Sequence, residues 1–431
     1  MTVALKTLAL AALIAWAPLA ASAAPKPDPA TASVTRILAS KGFKAARASL
    51  DGGFDRIVSD TIALTEIPSP PFGEDKRAAA YLARLKAEPS LTDVERDAEG
   101  NVMGLRRGTG GGPLVVIAAH LDTVFPLETD VKVHRQGEEL HAPGVGDDTA
   151  SLAVLLGFIR AMDAAHLTTH ADILFVGDVG EEGPGDLRGM RYLFGKGKYA
   201  GRIADFISLE PDDPGDVTNG GVGSIRYHVV FKGPGGHSLL DFGLVNPAYA
   251  MGGAMSRIGA IKVPQTPRTV FNVGVVGGGV SVNTIPNTLW MDVDMRSDDA
   301  AALKALDADL LAAISGAVDT ENATRSTARG RITAEVQQIG ARPVGHTDPA
   351  QPIVRLALAA SAASGLAPRF NNGSSDANIP MSLGIPAITF PSGFIGKRFH
   401  SPEEFISVEK APTLANLSTT LALLLSLAEM K

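Results

Sequence analysis

The chain has 431 residues, more than one compact core of ordinary size takes up, so its length predicts two domains or one large domain with an insertion. A net charge of -7 leaves no basic footprint for nucleic acid, and 45% hydrophobic with 20% charged residues is the balance of a soluble globular protein. There are no cysteines, which excludes disulfides, thiolate ligands and a cysteine nucleophile; any metal must be held by His, Asp and Glu.

Lys6, the apolar run Leu8 to Ala17 and the small-residue site Ala21-Ser22-Ala23 read as a secretory signal peptide over residues 1–23. A membrane anchor is the other reading, but the apolar core is short and Pro18 interrupts it. The expected location is therefore the bacterial periplasm or the medium. A Pro- and Ala-rich tether, Pro25 to Ser33, leads into a mostly helical segment ending near Leu64. Ile67 to Glu74 contains three prolines and must be a rigid loop, either a pocket lip or a simple connector. Lys76 to Lys86 has Ala78, Tyr81, Leu82 and Leu85 at helical spacing, and Val102 to Arg106 reads as a strand closed by the glycine turn Thr109 to Gly112.

The next stretch, Val115 to Ala119, is a buried-strand run ending in His120-Leu121-Asp122. A period of two puts His120 and Asp122 on one face, where the Asp122 carboxylate is expected to accept the second imidazole N–H and fix its tautomer. Gly144-Val145-Gly146-Asp147-Asp148 then delivers two acids to the start of a helix with Leu152, Leu155, Leu156 and Ile159 on its apolar face. One of Asp148 and Thr149 fits a helix cap; a carboxylate here also fits a bridge between two metal ions. The short strand Ile173 to Val176 leads to Glu181-Glu182, and Phe206 to Leu209 leads to Glu210. If a metal takes Glu182, Glu181 is left beside it as a proton carrier. Three strands thus release His120, Glu181-Glu182 and Glu210 at one sheet edge, where open α/β sheets build their sites.

After Gly220 the pattern changes to strict alternation from Ser224 to Lys232, the mark of a sheet with one exposed face. A helix from Asn246 to Ile261, strands near Val270–Val276 and Leu289–Met295, a helix from Ala300 to Val318 and a strand near Ile332–Gln338 complete a βαββαβ order. A helix from Ile353 to Leu366 resumes the first domain, followed by a loop from Asn371 to Asn378, a strand from Ala387 to Phe390, and a final helix from Leu414 to Met430. His400, in Arg398-Phe399-His400-Ser401-Pro402-Glu403-Glu404, is the natural last ligand, while His134, His141, His166, His170, His228 and His346 read as surface or structural residues.

With His-X-Asp, Gly-X-Gly-Asp-Asp, Glu-Glu, Glu210 and the late His-Ser-Pro-Glu-Glu in this order, the chain resembles the M20 family of dinuclear zinc hydrolases, which includes tripeptidases, glutamate carboxypeptidases, aminoacylases and acetylornithine deacetylases. The resemblance covers nearly the whole chain after the signal peptide. It implies an α/β catalytic domain with a mixed central sheet flanked by helices, over 34–221 and 339–431, and an inserted α+β lid or dimerisation domain over 222–338. It implies two zinc ions, replaceable by cobalt or manganese, held by His120, Asp147, Glu182, Glu210 and His400, with Asp147 as the bridge. His120 and Glu210 would complete one site, and Glu182 and His400 the other.

The resemblance further implies that Glu181 takes a proton from a zinc-bound water and returns it to the leaving amine. His237 would donate to the oxyanion from the lid of a second subunit, making the protein a homodimer. Asn283 matches a lid residue that contacts substrate and Arg342 one that holds a substrate carboxylate; a turn asparagine and a surface cation are equally open readings. The chain departs from several relatives at Asn378, where they carry an arginine, and an amide does not reproduce that bidentate grip. The first expectation is therefore an aminopeptidase or tripeptidase acting on short peptides, ahead of an N-acyl amino acid deacylase or a carboxypeptidase. A zinc-binding scaffold without catalysis comes last, because a structural metal site has no use for an unliganded Glu181.

Overall fold

The structure, a computed structural model, describes residues 28–431; the predicted signal peptide lies outside the described residues. Three helices come first, Pro29–Ala39, Lys41–Gly52 and Phe54–Thr65. The first begins inside the stretch expected to be a tether. Asp28 accepts hydrogen bonds from the amides of Ala30 and Thr31, and Pro29 fills the first helical position, where an N–H is not needed.

The larger sheet runs, edge to edge, through Leu91–Arg96, Val102–Arg106, Asp172–Asp178, Leu114–His120, Ile203–Glu210, Ala387–Pro391, Asp216–Gly221 and Gly345–His346, with Arg369–Gly373 added alongside Asp216–Gly221. Leu114–His120 lies parallel to both of its neighbours, and every one of its residues is buried. A strand covered on both faces reads as an unbroken apolar run, which is why Leu114 to Ala119 contains no polar residue. Val115, Ile117 and Ala119 face a core formed with the N-terminal helices, Ser151–Ala164 and Lys410–Leu427. Leu114, Val116 and Ala118 face a second core with Arg188–Gly195 and Asn378–Ser382. The parallel strands therefore discharge their polar ends at one edge, as the sequence predicts.

A smaller sheet follows in βαββαβ order. Its strands lie Thr269–Gly278, Thr288–Ser297, Gly223–Lys232, Thr333–Arg342, all neighbours antiparallel, with helices Pro247–Gly259 and Ala300–Thr324 sharing its core. Gly345–His346 then pairs with Asp216–Gly221, so both ends of this unit join the same margin of the larger sheet. Asn378 ties the two crossings together: it is fully buried, and its side-chain amide donates to the carbonyls of Val222 (2.9 Å) and Pro343 (2.8 Å).

Part of the expected loop Asn371 to Asn378 is strand, because Arg369–Gly373 finds a parallel partner in Asp216–Gly221. A further sheet of very short strands was not expected at all: Ile395–Lys397, Phe405–Ser407, Glu139–His141 and His134–Gln136. It connects the segment before Asp147 with the segment around His400. No helix among the described residues is long and apolar enough to cross a membrane.

Candidate metal centre

His120 is placed by the end of its strand and by the turn that follows. Its Nδ1 donates to the main-chain carbonyl of Asp122 (2.9 Å), which leaves Nε2 facing Asp147 Oδ1 at 3.0 Å. The expected bond from the imidazole to the Asp122 carboxylate is replaced by this carbonyl contact; the carboxylate stands 3.7 Å from Nδ1. It is occupied elsewhere. Asp122 Oδ1 accepts the amides of Gly180 (2.9 Å) and Glu181 (3.1 Å), and Oδ2 that of Glu182 (2.9 Å). A buried carboxylate with three charge-assisted bonds fixes the loop that presents both glutamates.

Asp147 lies between the two imidazoles. Oδ1 meets His120 and Oδ2 meets His400 Nε2 at 3.0 Å, while His400 Nε2 is 2.9 Å from Glu182 Oε1 and His120 Nε2 is 3.8 Å from Glu210 Oε2. The five residues His120, Asp147, Glu182, Glu210 and His400 are thus brought together, with each carboxylate oxygen of Asp147 turned to a different imidazole. Gly144 makes the bend possible: its φ is +74°, and a Cβ there would lie 2.5 Å from Thr123 Cγ2. Asp148 stands behind, its Oδ2 accepting the His120 amide at 3.0 Å; it forms a second potential ligand group with His120 and Glu210.

These residues fit a pair of divalent cations. Among the described residues, the only cationic groups within 4.0 Å of Asp147, Glu182 and Glu210 are the two imidazoles. Three carboxylates with two nitrogen donors are a hard-to-intermediate ligand set, and two divalent ions would bring the cluster close to neutral. Without cations, protons take their place. Hydrogen bonds to Asp147 and Glu182 push the His400 imidazole up to about 10, and burial followed by the neighbouring Asp148 pushes Glu210 well above the carboxylate range.

Both groups hold more protons folded than unfolded. For His400 the stabilisation is complete below about 6.5 and lost as pH rises through about 10; Glu210 loses stability in the same direction above the usual carboxylate range. The melting temperature of the chelated protein is therefore expected to fall from pH 6.5 to 10, and zinc is expected to flatten that slope. A melting temperature that rises with pH in chelated protein would contradict this assignment.

Glu181 is bound to none of these ligands. Its Oε1 accepts from Arg342 Nη1 at 2.8 Å, its main-chain carbonyl accepts from Arg342 Nη2, and Nη1 also donates to Ser374 Oγ at 3.1 Å. Burial raises the Glu181 carboxyl and Arg342 works against that rise. Arg342 is itself buried, and its guanidinium is engaged by Glu181 and Ser374. Replacing Arg342 by Gln should cost about 10- to 100-fold in kcat, the range of a lost charged hydrogen bond. If Arg342 instead grips a substrate carboxylate, the loss will appear only with substrates that carry one, which paired free and C-amidated peptides distinguish.

A cavity of about 650 Å³ opens over Asp147, Glu181, Glu182, Glu210 and His400. Its walls carry opposite charges. Asp212, Asp213 and Asp216 line it together with Arg226, Arg296 and Arg342, and Asp216 is already paired with Arg369. Asp294 accepts from Nε of Arg226 (2.9 Å) and of Arg296 (2.8 Å), which orients both guanidinia. Sequence reasoning missed Arg226 and Arg296; the signal was the run Asp292-Val293-Asp294-Met295-Arg296, whose alternate residues face away from the core. His237 and Asn283 do not line this cavity. They are exposed and sit next to each other, with the Ser238 amide donating to the Asn283 carbonyl at 3.0 Å.

A mixed central sheet with carboxylates and imidazoles converging at the carboxyl ends of its parallel strands, and an unliganded acid beside them, defines a metal-dependent hydrolase. Residues 116–424 match the model of peptidase family M20/M25/M40, and the chain belongs to that family. It is 29% identical over 263 residues to the succinyl-diaminopimelate desuccinylase of Leptothrix cholodnii, spanning 56% of this chain and 67% of that one. It is 26% identical over 261 residues to a probable carboxypeptidase of Aspergillus clavatus, 54% of this chain and 57% of that one. In fold it is similar to the aminopeptidase PepT of Bacillus cereus, with a TM-score of 0.69 at 19% identity over 87% of this chain and 99% of that one. The tripeptidase of Staphylococcus aureus is similar too, with a TM-score of 0.70 at 20% identity over 87% and 98%.

Proposed function

We propose that the protein is an exported, zinc-dependent peptidase that removes residues from the amino end of short peptides. The observation that carries the reading is Asp147 set between His120 and His400, with the unliganded Glu181 beside Glu182. His120, Asp147, Glu182, Glu210 and His400 would hold two zinc ions, which supply Lewis acidity to the attacking water and to the scissile carbonyl. Glu181 accepts the proton of that water and delivers it to the leaving amine nitrogen. Asp122 keeps Glu181 and Glu182 in place through their amides. Asp212, which lines the cavity and has no cationic partner within 4.0 Å among the described residues, suits a free ammonium group.

The oxyanion donor would be His237 of a second copy, delivered by the smaller unit acting as lid and dimerisation domain, with Asn283 beside it at the substrate. A protein that stays monomeric at every concentration would remove that role. A second reading, an N-acyl amino acid deacylase or a carboxypeptidase, is favoured by Arg226 and Arg296 in the cavity lining, which suit a substrate carboxylate. Mass spectrometry of products from free, N-acetylated and C-amidated tripeptides separates the two. Release of the first residue only from chains with a free amine is the expected result. Release of the acyl group, or of the last residue, would move the assignment to the second reading.

A further inference from the structure

Four residues beyond His400 lies a carboxylate that the ligand set does not use. Glu404 is fully buried, and the hydrogen-bond partners of its carboxylate are all in the loop that carries Asp147. Oε1 accepts the amides of Gly146 (2.7 Å) and Asp147 (3.0 Å), and Oε2 accepts that of Gly144 (3.0 Å). The Glu404 carbonyl accepts the amide of Ala142 at 3.1 Å. One side chain therefore holds the backbone from which the bridging carboxylate projects, across a separation of 260 positions in sequence.

Two other contacts join the same segments. Phe405–Ser407 pairs with Glu139–His141, and the rings of His141 and Phe405 stack with centroids 5.0 Å apart. At Gly146, a Cβ would lie 2.8 Å from Phe399 Cε1 and 2.9 Å from Ile406 Cγ2, so the loops nest only where a side chain is missing. Asp122 uses the same device on the Gly180–Glu182 loop. A buried carboxylate spent on three amides, with no cation of its own, is costly unless it fixes something that must not move.

We infer that Glu404 is a positioning residue that locks the Asp147 loop to the His400 loop, so that the bridging carboxylate and the second imidazole meet the metals as one preformed unit. The inference rests on the two-metal reading of the site. Glu404→Gln tests it, because the retained oxygen can serve Gly146 and Asp147 while the new amide group opposes the Gly144 N–H. Zinc affinity is read by competition with a chromophoric chelator, and the melting temperature is read with and without zinc. Exposed Glu403→Gln is the matched control.

Zinc affinity should drop by about 10- to 100-fold in Glu404→Gln, as for other residues that orient metal ligands, and the zinc-induced rise in melting temperature should shrink. Glu403→Gln should change neither. Should Glu404→Gln fail to fold, Gly146→Ala perturbs the same junction with Glu404 intact and is expected to shift zinc affinity in the same direction. Wild-type affinity in Glu404→Gln, with only the metal-free melting temperature lowered, would overturn the positioning role while leaving the two-metal site standing. A wild-type protein that takes up no zinc would overturn the metal reading itself, and the brace with it.

Discussion

Glu181→Gln should abolish turnover and leave zinc uptake unchanged. The substitution removes an acid that lies beside the ligand set without contacting either imidazole, and it keeps nearly the same shape against Arg342. A lost general base costs about 10²- to 10⁴-fold, and here the same group must also return the proton to the leaving amine, so the upper part of that range is expected. The measurement is kcat on a short peptide together with zinc content by plasma mass spectrometry. A Glu181→Gln protein with full zinc and near-normal rates would remove Glu181 from the chemistry.

His120→Ala should lose both. This imidazole is 1% exposed and lies on Asp147 and within 3.8 Å of Glu210. Removing a partner that only orients a ligand weakens metal binding about 10- to 100-fold, so removing the ligand itself should exceed about 100-fold. Activity should fall to background at ordinary zinc concentrations. Retained zinc stoichiometry after dialysis would show that His120 is a structural histidine.

The difference between these two outcomes separates the proton carrier from the ligand set, and the sequence already pointed to both roles. Strand-end residues are legible where a buried parallel strand is apolar throughout: the polar residue at the end of Leu114–His120 announces itself against that background. The βαββαβ unit was legible for the related reason that strands such as Thr288–Ser297 alternate between core and outer face. What could not be read were contacts between distant segments. The three-residue strands Glu139–His141 and Phe405–Ser407, which pair with each other, are too short to show any period. The Asp122 carboxylate was expected on His120; its capture by three amides depends on how the Gly180–Glu182 loop folds back over it. Arg342 was expected on a substrate and lies on Glu181, a pairing across 161 positions that no local pattern encodes.

Under the proposed function, Asp147 joins two metal positions. The most direct test is to titrate the metal-free protein with zinc while counting bound equivalents by native mass spectrometry and following peptide hydrolysis in the same samples. Two equivalents, with activity approaching its maximum only as the second is bound, is the expected result. Saturation at a single equivalent with full activity would contradict the bridge and reduce Asp147 to an ordinary ligand.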